Sequence, residues 1–123
     1  LPMGYVRASS KDHGRQNQIE GKLIDNAKIV VIEDLISTAG SAVEVVEVLR
    51  REDAEVLGIA SIFTYGMRKA TERLAEHNVR NVSASDYDTL LSVAVEEDYI
   101  KESDVDALLH FRNNPSDKSW MSK

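Results

Sequence analysis

The chain has 123 residues, 42% of them hydrophobic, which suits one modest domain with a packed core. Its formal charge of −6 argues against nucleic acid as a partner, because that binding rests on Lys and Arg neutralising phosphates. No apolar run approaches the roughly 20 residues of a membrane helix, so no membrane partner is expected; the lack of cysteine excludes disulfides, thiolate metal sites and cysteine nucleophiles, and suits a reducing, cytoplasmic setting.

The chain opens Leu1-Pro2-Met3-Gly4-Tyr5-Val6-Arg7, without an initiator methionine. Residues 3–7 are a short apolar run and read as a strand. So abrupt a start suggests the C-terminal portion of a longer protein, with an N-terminal part missing. Residues 8–21 are polar and without period, which predicts a long loop, and loops beyond about 12 residues are usually functional or disordered. Residues 28–32 are β-branched and continuously apolar, as in a strand buried on both faces. Glu33 to Gly40 then reads as a turn. Ser41 with Glu44 makes a capping-box signature for a helix with Val45, Val46, Val48 and Leu49 inward.

Residues 56–64 are the next predicted strand. Met67 to His77 follows as an amphipathic helix with Ala70, Leu74 and Ala75 on one side, then a strand over 79–83 and a helix over 86–95. Ser103 is expected to cap a last helix through His110, ended before Pro115. Alternating strands and helices predict an α/β fold, a parallel sheet with helices on both faces. Ligands of such sheets sit at the carboxyl ends of the strands, and the two unusual segments, 8–21 and 33–41, both follow strands.

Glu33 and Asp34 are adjacent carboxylates at the end of an apolar strand. They repel each other unless something positive or hydroxyl-rich meets them. A ribose offers two vicinal hydroxyls, and magnesium carried by a substrate would add positive charge. Ser37, Thr38, Ala39, Gly40 and Ser41 then open a helix, where free N–H groups, hydroxyls and the helix dipole suit a phosphate. Taken singly, Asp34 reads equally as a turn cap and Ser41 as a helix cap. The whole run Ile29-Val30-Val31-Ile32-Glu33-Asp34-Leu35-Ile36-Ser37-Thr38-Ala39-Gly40-Ser41 is a far more specific combination.

This run resembles the phosphoribosyl pyrophosphate motif of type I phosphoribosyltransferases. The resemblance implies that Glu33 and Asp34 contact the ribose hydroxyls and that Ser37 to Ser41 hold the 5-phosphate. Ala39 stands where that family usually has glycine, so its methyl group is expected to crowd the phosphate or shift the turn, weakening binding without abolishing it.

The earlier loop carries Arg7, Lys11 and His13 within seven positions. As plain composition this is a solvated loop with scattered charge. Mobile cations that close over a departing pyrophosphate would also stabilise its growing charge and exclude water. Tyr5-Val6-Arg7, Lys11-Asp12-His13-Gly14 and Asn17-Gln18-Ile19-Glu20-Gly21 together resemble the catalytic loop of the orotate phosphoribosyltransferase family, which other phosphoribosyltransferases lack. That resemblance is clear from Leu1 to about Ala75 and weaker to residue 109.

It implies transfer of the phosphoribosyl group from phosphoribosyl pyrophosphate to orotate in pyrimidine biosynthesis, giving orotidine monophosphate and pyrophosphate. It further implies magnesium bound mainly through the substrate, no metal site of the protein's own, and a cytoplasmic homodimer in which the loop reaches the neighbouring site. By the same resemblance Arg7, Lys11 and His13 bind substrate, Lys11, His13 and Asp34 serve catalysis, Leu35 and Ile36 belong to the binding run, and Ser37 touches orotate. Many relatives have a lysine after the arginine. Here Ala8 takes that place, so one pyrophosphate contact is expected to be missing. The implied organisation is a phosphoribosyltransferase portion over 1–114, with a catalytic loop at 8–21 and a phosphoribosyl pyrophosphate loop at 33–41, and a tail over 115–123. The alternatives are a purine or uracil phosphoribosyltransferase, a non-catalytic regulator that binds phosphoribosyl pyrophosphate, and an inactive fragment.

Overall fold

The structure, a computed structural model, describes residues 3–6, 19–21 and 26–117. Strand β3 (Lys28–Ile36) pairs in parallel with β4 (Glu55–Thr64), which pairs in parallel with β5 (Asn81–Asp86). Helix α1 (Gly40–Arg51) joins β3 to β4, α2 (Arg68–Glu76) joins β4 to β5, and α3 (Tyr87–Glu96) leaves β5. A short 3-10 turn (Glu102–Asp104) leads into α4 (Val105–Asn113). The expected α/β parallel sheet with helices is therefore present.

The core lies between the sheet and α1. Val31, Ile36 and Ile59 from the strands meet Ala42, Val43, Val46 and Leu49 from α1, with Ala70 from α2 and Val79 behind it. Successive strand residues face opposite sides of a sheet. Val31 is therefore buried under α1, while Val30 and Ile32 on the other side are 49% and 71% exposed. Ile62 and Val82 are exposed as well. The expectation of helices on both faces meets a limit here: among the described residues, this apolar face of the sheet is open.

Strand β1 (Gly4–Val6) pairs antiparallel with β2 (Ile19–Gly21), so the last three residues of the predicted long loop return as a strand. Gly21 has a φ of +103°, and a Cβ there would lie 2.8 Å from Gly4 Cα, so only glycine fits this crossing. Val6 and Ile19 pack against the core.

Several boundaries move from the sequence expectation. On α2 the half-buried neighbour of Leu74 is Arg73, while Ala75 is exposed. The strand expected at 79–83 is Asn81–Asp86, and the Asp86 side chain caps α3 by accepting from Thr89 N at 2.8 Å. Ser103 caps nothing: it lies inside the 3-10 turn, where Asp104 accepts from Lys101 N at 3.0 Å. Helix α4 continues past His110 to Asn113, which lets Arg112 donate to Tyr65 O and pair with Asp88.

The histidines near helix C-termini have partners within the domain. His77 Nδ1 lies 3.2 Å from Glu47 Oε1, and Arg50 donates to the carbonyls of His77 and Asn78. His77, then Arg50, hold the Glu47 carboxylate below the usual glutamate range. His110 Nε2 lies 3.1 Å from Asp117. The acidic run Glu96-Glu97-Asp98 is exposed, as a solvated helix end should be. Trp120 and the end of the tail lie outside the described residues.

Candidate active site

The apolar strand does not end where its acids begin. Parallel pairing continues through Glu33 opposite Ser61, Leu35 opposite Phe63 and Ile36 opposite Thr64, so the turn expected from Glu33 is still β3. Ladder hydrogen bonds to β4 override the local turn preference of the polar residues. The turn proper is Ser37 to Ala39, at the carboxyl end of the strand, and α1 starts at Gly40. The fold thus delivers this segment to the edge of the sheet where ligands of α/β proteins bind.

Within the strand the two acids differ. Glu33 is half-buried on the side of Val31, and Asp34 is exposed on the side of Ile32. Burial pushes the Glu33 carboxyl above the usual glutamate range, and the neighbouring Asp34 charge pushes it the same way. A cation or hydroxyl donors arriving here would relieve that repulsion. Leu35 is exposed, whereas Ile36 is 1% exposed and its carbonyl accepts from Tyr65 N at 3.1 Å. That bond ties the end of β3 to the segment leaving β4.

The turn is shaped by Ala39. Its φ is +67°, in the left-handed region, and it serves as the N-cap of α1 with no side-chain cap bond. The capping box expected at Ser41 and Glu44 is absent, because the helix has already begun one residue before Ser41. Ser37 and Ser41 are exposed, and their hydroxyls have no hydrogen-bond partner among the described residues. They remain available to a ligand.

Ala39 itself is 4% exposed and belongs to the core cluster. Its methyl group is therefore covered by the core and not open to solvent. The left-handed backbone costs alanine about 1–2 kcal/mol. Glycine would remove that strain but lose a buried methyl and gain unfolded-state entropy, terms of about the same size. Ala39→Gly is therefore expected to leave stability within about 1 kcal/mol, whereas Ala39→Val, β-branched at positive φ, should cost about 2–3 kcal/mol. Denaturant unfolding of the two variants checks this; equal losses would mean that the backbone conformation is not what constrains the position.

One contributor escaped the sequence reading. Arg73 on α2 donates from Nη1 to the carbonyl of Thr38 at 3.1 Å. An arginine in an amphipathic helix reads as a surface charge, and nothing in its spacing announces a partner 35 residues away. Arg7, Lys11 and His13 lie outside the described residues. The residues flanking that segment, Val6 and Ile19, are paired in the β1–β2 ladder. Among the described residues no group of three or more His, Cys, Asp or Glu side chains could hold a metal ion. No described helix is long and apolar enough to cross a membrane.

A family model, the phosphoribosyl transferase domain, matches residues 1–98. The chain belongs to this family. As a phosphoribosyl transferase domain it is similar to two bacterial proteins named orotate phosphoribosyltransferase. The one from Bacillus cytotoxicus is 51% identical and the one from Halalkalibacterium halodurans 48%, each over 99% of this chain and 58% of the relative. The chain thus spans somewhat over half the length of the relatives it matches. Among solved structures, the orotate phosphoribosyltransferase of Aeropyrum pernix superposes with a TM-score of 0.66 at 35% identity, over 74% of this chain and 50% of that one.

Proposed function

We propose that the protein containing this phosphoribosyl transferase domain transfers the phosphoribosyl group of phosphoribosyl pyrophosphate to orotate, in pyrimidine biosynthesis. The observation that carries the reading is the 51% identity to an orotate phosphoribosyltransferase over 99% of this chain. The turn supports it: among the described residues the hydroxyls of Ser37 and Ser41 and the first N–H groups of α1 have no hydrogen-bond partner, as a 5-phosphate site requires. In this reading the carboxylates of Glu33 and Asp34 accept hydrogen bonds from the ribose hydroxyls, which fixes the ring for displacement at its anomeric carbon. The bond from that carbon to pyrophosphate breaks as a bond to a ring nitrogen of orotate forms. Arg7, Lys11 and His13, with Lys11 foremost, meet the charge that collects on the pyrophosphate, and Ser37 contacts orotate.

Magnesium fits the hard oxygen donors of Glu33 and Asp34 only as a substrate-borne ion, because two adjacent carboxylates fall short of a cage of their own. When bound it would neutralise part of the pyrophosphate charge. A cytoplasmic homodimer, with the Arg7–Gly21 segment serving the neighbouring site, completes the proposal. The charge growing on pyrophosphate needs cations that a phosphoribosyl pyrophosphate sensor would not, and the retained Lys11 and His13 therefore favour an enzyme. The test is product analysis: incubated with orotate, phosphoribosyl pyrophosphate and magnesium, the protein should yield orotidine monophosphate and pyrophosphate in equal amounts. Binding of phosphoribosyl pyrophosphate without either product would leave a regulator in place of an enzyme.

A further inference from the structure

We propose that Arg73 is a positioning residue for the phosphate turn: it orients the Ala39 amide toward the phosphate by holding the Thr38 carbonyl. The inference rests on reading that turn as the phosphoribosyl pyrophosphate site. The first turn of α1 has no side-chain cap and no acidic residue, and its N-cap, Ala39, sits in a costly left-handed conformation. Among the described residues, the one backbone bond of the turn itself is Val43 N donating to Ala39 O at 3.0 Å, at the start of the helix. The fastening on the other side comes from α2. Arg73 Nη1 donates to Thr38 O at 3.1 Å, and Arg73 is half-buried.

A trans peptide is planar, with its C=O and N–H directed oppositely. Fixing the Thr38 carbonyl toward α2 therefore fixes the Ala39 N–H away from α2. That N–H has no acceptor among the described residues. Without the guanidinium the orientation of the 38–39 peptide would rest on the packing of Ala39 and the Val43 N–Ala39 O bond, and its amide would be held less firmly toward a phosphate.

Gly40 agrees with this assignment. A Cβ at Gly40 would lie 3.1 Å from the same Nη1, so any side chain there would press on the guanidinium that holds the turn. Arg73 also has no carboxylate partner among the described residues. Its charge is left uncompensated beside the turn of a chain with net charge −6, where it favours a bound dianion.

The test is steady-state kinetics on the whole protein that contains this chain. Arg73→Ala is expected to raise the KM for phosphoribosyl pyrophosphate about tenfold, the scale of one charge-assisted hydrogen bond, with kcat and the KM for orotate within about twofold. Arg73→Lys, which keeps a donor and the charge, should recover most of that loss. If Arg73→Ala is too unstable to assay, Arg73→Met takes its place with the same tenfold expectation, because it keeps the aliphatic packing and removes every donor. A merely structural arginine would lower the melting temperature and the active fraction and leave the KM alone. An unchanged KM in the folded variants, with the unsubstituted protein turning over normally, overturns the role of Arg73 only. Failure of the unsubstituted protein to bind phosphoribosyl pyrophosphate in calorimetry overturns the reading of the site, and Arg73's role with it.

Discussion

Replacing Lys11 with alanine should lower kcat by about a hundredfold or more while changing substrate affinity much less. The pyrophosphate oxygen gains charge only as its bond to the ribose breaks. A cation that meets this charge acts in the transition state and not in the ground state, so its loss appears in kcat. Losing one such electrostatic contact costs about 3 kcal/mol. A charged lysine in a polar run adds little to a hydrophobic core, so the melting temperature should scarcely move. Mixed dimers of the proposed homodimer would test whether the segment carrying Lys11 acts across its interface. With one Lys11→Ala subunit and one Asp34→Asn subunit, a trans-acting loop puts both defects in one site and neither in the other, and about half the activity should return. Mixed dimers that stay near zero would confine Lys11 to its own subunit's site, or to no site at all.

Asp34→Asn is expected to weaken phosphoribosyl pyrophosphate binding by about tenfold to a hundredfold, the range of a charged hydrogen-bond acceptor replaced by a neutral one. The fold should be indifferent to the change. Asp34 lies on the exposed side of β3, and none of the described hydrogen bonds or ion pairs uses its side chain. Its removal should also ease the repulsion that contributes to the raised Glu33 pKa. Calorimetry with phosphoribosyl pyrophosphate and thermal unfolding separate the two effects. A variant that loses stability while its folded fraction binds normally would make Asp34 a structural residue.

The sequence made the alternation of strands and helices plain, because runs such as Ile29 to Ile32 and the inward stripe of α1 carry their period in the residues themselves. It misplaced the end of β3. Glu33 and Asp34 look like turn chemistry, and it is the parallel partner β4, with Ser61, 28 residues on, opposite Glu33, that keeps them extended. It misplaced the start of α1 for a related reason. A serine followed by a glutamate three residues on is a local cap signature, whereas the left-handed Ala39 is imposed by packing in the core. Arg73 was invisible because its partner is a backbone carbonyl, which no residue type encodes. Glu33, Asp34 and the run from Ser37 to Ser41 stood out because the ligand chemistry proposed for them restricts residue identity. The open face of the sheet was not, since Val30, Ile32 and Val82 are as apolar as a buried face requires.

The most direct test of the central claim is base preference. The protein containing this chain should be assayed with phosphoribosyl pyrophosphate and magnesium against orotate, uracil, adenine and hypoxanthine in parallel. Nucleotide formation with orotate should lie well above that with the other three. Preference for any other base would contradict the central claim.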